Sequence, residues 1–264
     1  MAPWRIEETS PGIGVLNWRD DDPWWLDAQA GAALGEAVQR ALDGGLQRVE
    51  AEVGTDIELV PLRRTLQRAG LRPEGVGRGR LTGADGIPRD ATRLARLAGD
   101  APLGSREAFL AMLNATLPLK RVIGQGLIGD GQGRFLMCEL LYKQEWDLPG
   151  GVVDPQESPA HAVVREVREE LGATVEAGGL LAVDWLPPYR QWEDALLCVF
   201  DLGDHPALVD EAVLETTEIK AVHWCDLDLA RAHAAPYVVR LLEQIGVGER
   251  TAYLEDGKPA TLDP

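Results

Sequence analysis

The stretch GVVDPQESPAHAVVREVREELGA, Gly151 to Ala173, limits most tightly what this 264-residue chain can become. Ser158 followed by Pro159 predicts a helix start, the serine as N-cap and the proline in the first turn, where a missing N–H costs nothing. Gly172 predicts the stop. At about 100° per residue, Ala160, Val164, Val167 and Leu171 share one apolar arc, so that side is expected to pack on a sheet. Glu166, Glu169 and Glu170 fall together elsewhere, bordered by small Ala162, and like charges at that spacing repel. On a solvated helix face, interleaved with Arg165 and Arg168, such acids are ordinary. Gathered in a pocket they form the oxygen-rich set that Mg²⁺ or Mn²⁺ favours.

A chain of this length with 45% hydrophobic residues can bury the cores of one or two domains. The start, MAPWRIEETS, has no basic segment leading into an apolar run, and stretches such as ALLCVF are too short to span a bilayer. The expectation is a cytoplasmic protein with no membrane partner. Cys138, Cys198 and Cys225 sit singly in apolar runs, as buried structural thiols do. The net charge of −17 is uneven: residues 106–264 carry 13 basic and 27 acidic side chains, a balance of −14. Such a surface argues against nucleic-acid binding, which uses clustered Lys and Arg. An anionic substrate would need cations as mediators.

The order of elements divides the chain into 1–104 and 105–264, with GDAPLGS as the boundary and Ser105 placed to cap a helix over REAFLAMLNA. Before it, IGVLNW reads as a strand, RDDDPWW as an acidic turn, AQAGAALGEAVQRALDGG as a helix, QRVEAEV as a strand and PLRRTLQRAG as a helix, followed by the Gly-rich LRPEGVGRGRLTGADG. After Pro118 come strands over KRVIGQGLIGD and RFLMCELLYK joined by a DGQG turn, then EWDLPGG, the acidic helix, strands around GLLAVDW, DALLCVF and EIKAVHW, and a helix around PYVVRLLEQIG. This mixture predicts an α/β (α+β) sandwich.

From Leu119 onward the chain resembles the Nudix hydrolases, whose box reads G x5 E x7 REUxEExGU. Gly151, Glu157, Arg165, Glu166, Val167, Glu169, Glu170 and Gly172 match at the required spacing, and Ala173 at the last position is smaller than usual. The resemblance implies an α/β/α sandwich and a Mg²⁺- or Mn²⁺-dependent hydrolase of small-molecule diphosphates. It implies Glu166, Glu169, Glu170 and the Gly150 carbonyl as metal ligands, and Arg165 paired with Glu157 as a structural brace beside Gly151 and Gly172. Glu166 and Glu169 are then catalytic, with the base either Glu166 or a loop acid, Glu193 or Asp194. A noncatalytic ligand-sensing or scaffold use of the fold is the alternative.

In DWLPPYRQW, Trp185, Tyr189 and Trp192 are candidates to stack on a base. The same aromatics also suit half-buried packing. Pro188, fifteen residues past the box, resembles the spacing of the ADP-ribose pyrophosphatase branch, so ADP-ribose or a nucleotide sugar is the substrate class implied. Residues 10–98 resemble the second half of GNAT-type N-acetyltransferases. Their pyrophosphate loop, [Q/R]xxGx[G/A], corresponds here to Gln29, Ala30, Gly31, Ala32, Ala33 and Leu34. Ala32 and Leu34 spoil that cradle, which implies a partial, noncatalytic GNAT-like α/β domain kept for packing or homodimerisation.

Overall fold

The computed structural model describes residues 2–19, 23–83, 85–245 and 252–260. Residues 20–22 of the expected acidic turn lie outside them. The chain forms two compact units, Met1–Pro118 and Leu119–Pro264.

The first unit is a two-layer α/β arrangement. Its strands are β1 (Trp4–Ser10), β2 (Ile13–Trp18), β3 (Arg48–Gly54), β4 (Arg72–Thr82) and β5 (Pro88–Leu97), and they lie in the order β1-β2-β3-β5-β4. Strand β3 alternates: Val49, Ala51 and Val53 turn inward, while Glu50 and Glu52 pair with Arg48, Arg80 and Arg93 on the other side. Helices α1 (Ala30–Asp43) and α2 (Val60–Arg68) cover the apolar side with Leu34, Val38, Leu62 and Leu66. Leu34, the residue that closes the Gln29–Leu34 window, is thus part of the core.

The Gly-rich segment forms strand β4, because bulges between Pro73 and Gly75 and between Gly77 and Leu81 absorb its glycines while the ladder to β5 continues. One expectation changes here. The boundary lies after α3 (Arg106–Thr116) instead of before it at residue 104. Ser105 caps α3 as expected, its Oγ accepting from the Ala108 N–H at 3.1 Å, but the helix packs against β4 of the first unit.

The second unit is an α/β/α sandwich. Its strands are β6 (Arg121–Gly129), β7 (Phe135–Leu140), β8 (Gly150–Val152), β9 (Leu180–Leu186), β10 (Ala195–Asp204), β11 (Ile219–Cys225), β12 (Ala252–Glu255) and β13 (Lys258–Pro259). They run in the order β11-β7-β6-β10-β9-β12-β13, with β8 added to β6. Helix α4 (Pro159–Leu171) packs its Val163, Val167 and Leu171 with Ile128, Leu136 and Leu202. The short helices α5 (Leu208–Glu211) and α6 (Leu227–His233) follow, then α7 (Pro236–Ile245), whose Val238, Leu241 and Leu242 join Leu197, Val199 and Ala182 in a second cluster. The central strands are therefore apolar on both faces. No helix among the described residues is long and apolar enough to cross a membrane.

Gly124 sets the height of α4 above the sheet. A Cβ there would stand 2.7 Å from the Pro159 carbonyl oxygen, in the first turn of α4 where backbone cannot yield. Replacing Gly124 with Val should cost ~1–3 kcal/mol in urea unfolding, the usual penalty for overpacking, whereas an unchanged midpoint would mean α4 does not bear on β6 there.

Asp184 on β9 is fully buried; its Oδ2 accepts the Gly257 N–H at 2.9 Å and its Oδ1 has no hydrogen-bond partner among the described residues. Burial pushes the carboxyl up to about 6, the Gly257 N–H opposes this and Asp256 adds to it. A carboxyl raised in the folded state contributes stability in its protonated form, which is lost as pH rises from about 4 through about 6. Relative to Asp184→Asn, the native protein should therefore lose ~1–3 kcal/mol between pH 4 and pH 7 in denaturant titrations, and parallel pH profiles would show that Asp184 does not titrate as stated.

Candidate active site

Helix α4 carries the box. Ser158 caps it, its Oγ accepting from the His161 N–H at 3.3 Å, and Gly172 ends it in the left-handed region at φ 67°. The buried face is Ala162, Val163, Val167 and Leu171, with Ala160 and Val164 only half-buried. The expected apolar arc is thus turned toward Ala162, and the turn takes Glu170 inward to 8% exposure.

Arg165 organises the other acids. Its Nε and Nη2 donate to the two Glu157 carboxylate oxygens, both at 3.0 Å, a bidentate fork. Its Nη1 donates to Glu166 Oε1 at 2.9 Å and Glu169 Oε2 at 3.0 Å, and Nη2 also reaches the Val152 carbonyl at 3.2 Å. The hydrogen bonds to Arg165 hold Glu157 below the usual carboxylate range. Glu166 goes the other way, raised by burial against the opposing pull of Arg165. Gly151 lies beside it: a Cβ at 151 would stand 2.5 Å from Glu166 Oε1, so any larger residue there would push this carboxylate out of its present position.

Glu170 is the most perturbed acid of the set. Its Oε2 accepts the Gly150 N–H at 3.1 Å. Burial pushes its carboxyl up to about 8; the Gly150 N–H opposes that, and the negative charges of Glu166, Glu218 and Asp147 reinforce it. The loop leading to Gly150 is pinned twice. Trp146 stacks between His223 and His233, with ring centroids 4.1 and 4.2 Å away. Buried Asp147 accepts the Tyr237 hydroxyl at 3.0 Å and Gln125 Nε2 at 2.9 Å, and pairs with Lys143.

Among the described residues no three His, Cys, Asp or Glu side chains are gathered closely enough to hold a metal as they stand. The reason is local: Arg165 draws Glu166 and Glu169 to itself, while Glu170 turns to Gly150. The donor set nevertheless fits a hard divalent cation, being all oxygen, and the buried Glu170 carboxyl lies in the field of Glu166, Glu218 and Asp147, which a cation would relieve.

The other expected residues lie on the loop between β9 and β10. Tyr189 and Trp192 form a tight turn through mutual backbone hydrogen bonds at 3.0 and 2.9 Å and are 52% and 58% exposed. The Arg190 guanidinium sits 5.0 Å over the Tyr189 ring and pairs with Glu145 at 2.7 Å. Trp185 is half-buried and donates its indole N–H to Asp194 at 3.3 Å, where Lys120 also pairs. Those hydrogen bonds, Lys120 first, hold Asp194 below its ordinary value. Glu193 is exposed and makes no side-chain hydrogen bond with the box acids among the described residues.

Three contributors escaped the sequence reading. Asp147 stood in EWDLPGG, where only its neighbours drew notice. Glu218 precedes a strand with nothing to mark it, and Tyr237 lies 90 positions from the carboxylate it holds.

Residues 125–244 match the NUDIX domain family. A MutT-like protein from Streptomyces ambofaciens is 30% identical over 142 residues, covering 53% of this chain and 87% of that protein. Human diphosphoinositol polyphosphate phosphohydrolase 2 is 45% identical over 48 residues, 18% of this chain, and the chain spans only 27% of that relative's length. Among solved structures, the MutT protein from Methanosarcina mazei Go1 is 26% identical with a TM-score of 0.43, over 50% of this chain and 96% of that one. The domain match falls on the unit that carries the box, and the Streptomyces relative is matched over most of its length: the chain belongs to the Nudix hydrolase family.

Proposed function

We propose that this Nudix hydrolase is a Mg²⁺- or Mn²⁺-dependent pyrophosphohydrolase that cleaves the diphosphate of a nucleoside diphosphate derivative such as ADP-ribose or a nucleotide sugar. The observation that carries the proposal is the set of Glu166, Glu169 and Glu170 on one helix, with Glu170 buried against the Gly150 N–H inside a patch of negative charge. Nudix hydrolases use divalent metal ions and act on small-molecule diphosphates. Glu166, Glu169, Glu170 and the Gly150 carbonyl are the proposed holders. A cation bound there neutralises diphosphate oxygens and lowers the pKa of a bound water.

The chain's own groups do the rest. Arg165 fixes Glu157 and the approach of β8, and so keeps the box acids in register. A base must accept the water's proton, and Glu166, raised by burial, suits that task better than Asp194, which is committed to Lys120 and Trp185. Glu193 is the loop alternative. Trp192 and Tyr189 are the exposed rings offered to a base, Tyr189 on the face that Arg190 does not cover, with Trp185 as the third, half-buried candidate. We assign the first unit a noncatalytic role as a partial GNAT-like domain, consistent with Leu34 being core, and place the protein in the cytoplasm, with homodimerisation through that unit as one use for it and no nucleic-acid partner.

Glu170→Gln keeps the shape and removes the charge. Turnover of ADP-ribose with Mg²⁺ should fall ~100-fold or more, as expected when transition-state charge stabilisation is weakened, and Glu169→Gln should fall similarly with partial recovery at higher Mg²⁺. The metal-free protein should respond differently. A carboxyl raised to about 8 makes native stability decline as pH rises through 8, so Glu170→Gln should be the more stable form at pH 9 in metal-free thermal melts. Unchanged hydrolysis in both variants would remove the metal-holding role.

If the aromatic rings carry the base, Tyr189→Ala or Trp192→Ala should raise KM for ADP-ribose by the equivalent of ~1–3 kcal/mol of stacking. The saturated rate should change much less, because stacking stabilises ground and transition states alike. Should KM hold steady in both, the base-platform assignment is wrong.

A further inference from the structure

The first unit contains a cavity of about 620 Å³ between the end of α2, the end of β5 and helix α3. That volume lies in the range of small-molecule sites, roughly 300–1,000 Å³. Its wall is part apolar, from Leu103, Phe109 and Met112, and part cationic, from Arg72, Arg96 and Arg106.

Arg96 is the unusual member. It is 2% exposed, yet it forms no ion pair among the described residues. Its Nη2 donates to Gln39 Oε1 at 2.6 Å and its Nη1 reaches the Ala69 carbonyl at 3.5 Å; its remaining donors make no hydrogen bond among the described residues. Both nearby carboxylates are committed elsewhere. Asp100 pairs with Arg72 and accepts the Leu97 N–H at 2.9 Å, and Asp43 accepts Gln39 Nε2 at 2.9 Å. Arg106 forms no ion pair among the described residues either. The wall therefore sets three guanidinium groups against one carboxylate, within a chain whose net charge is −17.

An isolated buried cation is costly unless something compensates it. Pinning the end of α2 through the Ala69 carbonyl would need only a hydrogen-bond donor, not a charge. Burial lowers the affinity of Arg96 for its proton, yet a guanidinium stays ionised in proteins, so the charge persists in the wall of the cavity.

We propose that this cavity is a binding site for a small molecule that carries an oxyanion, carboxylate or phosphate, on an apolar body, with Arg96 as the partner of the anion. The oxyanion meets the spare donors of Arg96 in charge-assisted hydrogen bonds, and the apolar body lies along Leu103, Phe109 and Met112. The site belongs wholly to the first unit and does not depend on the hydrolase reading.

The test is calorimetric titration of the metal-free full chain with hexanoate, hexyl phosphate and, as the charge-reversed control, hexyltrimethylammonium. Saturable binding of at least one anionic probe is expected, ~10-fold or more tighter than the ammonium probe, and the ratio of the two anionic affinities tells carboxylate from phosphate. Arg96→Met, which keeps the stem and removes the charge, should weaken that binding by ~30-fold or more, as loss of one side of a buried charge pair does. Ala108→Trp, which fills the cavity from α3 without touching Arg96, should abolish it, and decides the matter if Arg96→Met does not fold. No saturable binding of either anionic probe at millimolar concentration, equal binding of the ammonium probe, or binding that survives Ala108→Trp would overturn the proposal.

Discussion

The guanidinium of Arg165 is the interaction on which the acidic helix depends. Without it, Glu166 and Glu169 would repel each other one turn apart, and the segment from Val152 to Glu157 would lose the side-chain hydrogen bonds that tie it to α4 among the described residues. The fork donates to Glu157 twice, to Glu166, to Glu169 and to the Val152 carbonyl. One side chain therefore neutralises the helix face, closes the loop and brings β8 to the Glu166 carboxylate, where Gly151 admits it. A lysine could supply the charge but not the planar, multiply donating geometry. The same bonds hold Glu166 and Glu169 to Arg165, so if these carboxylates hold a cation as proposed, they would have to exchange one positive partner for another.

Glu170 obeys a different logic, because it has no ion pair among the described residues. The helix turns it toward the sheet beside Val163 and Val167, at a cost that the Gly150 N–H offsets only in part. Gly150 must therefore be held firmly, and its loop is: Trp146 is clamped between two imidazole rings, and Asp147 is held by Tyr237 from α7 across the sheet. Both helical layers of the sandwich thus converge on one amide. A destabilised buried carboxylate is tolerable in a fold with packing on both sheet faces, and it is the usual form in which function draws on stability.

Those two devices differ in how far the sequence revealed them. The order of elements in the second unit was legible, since long periodic segments such as β6, β10, α4 and α7 carry their signal locally. So were the cap at Ser158 and the stop at Gly172, which rest on backbone chemistry. The inward turn of Glu170 was not legible, because helical periodicity assigns arcs but the sheet decides which arc is pressed against it. Strand β4 was hidden by its glycines, which mark a loop when read alone and bulges once β5 pairs alongside. Hairpin strand β1 was missed because its alternation of Trp4 and Ile6 with Arg5 and Glu7 is brief. Asp147 and Tyr237 meet only through the fold, and what sets Arg96 apart, burial with no ion pair among the described residues, is a property of packing. The boundary was misplaced because Pro and Gly at GDAPLGS mark a break in periodicity, not the limit of packing.

The two units answer the same electrostatic question in opposite ways. On the proposed reading the second unit presents carboxylates to a diphosphate and would borrow its positive charge from a divalent ion, which would tie recognition there to metal supply. In the first unit the cation is part of the chain: Arg96 is buried, ionised and short of partners, and an oxyanion can meet it without any metal. Charge density separates their uses. A metal-bridged site concentrates positive charge where phosphoryl transfer needs it, whereas a guanidinium in an apolar wall offers directional hydrogen bonds and little else, which suits recognition without turnover. A chain of net charge −17 repels small anions as a whole, and both units overcome that repulsion only where local positive charge is supplied. Binding at the first should therefore survive removal of divalent ions, while chemistry at the second should not.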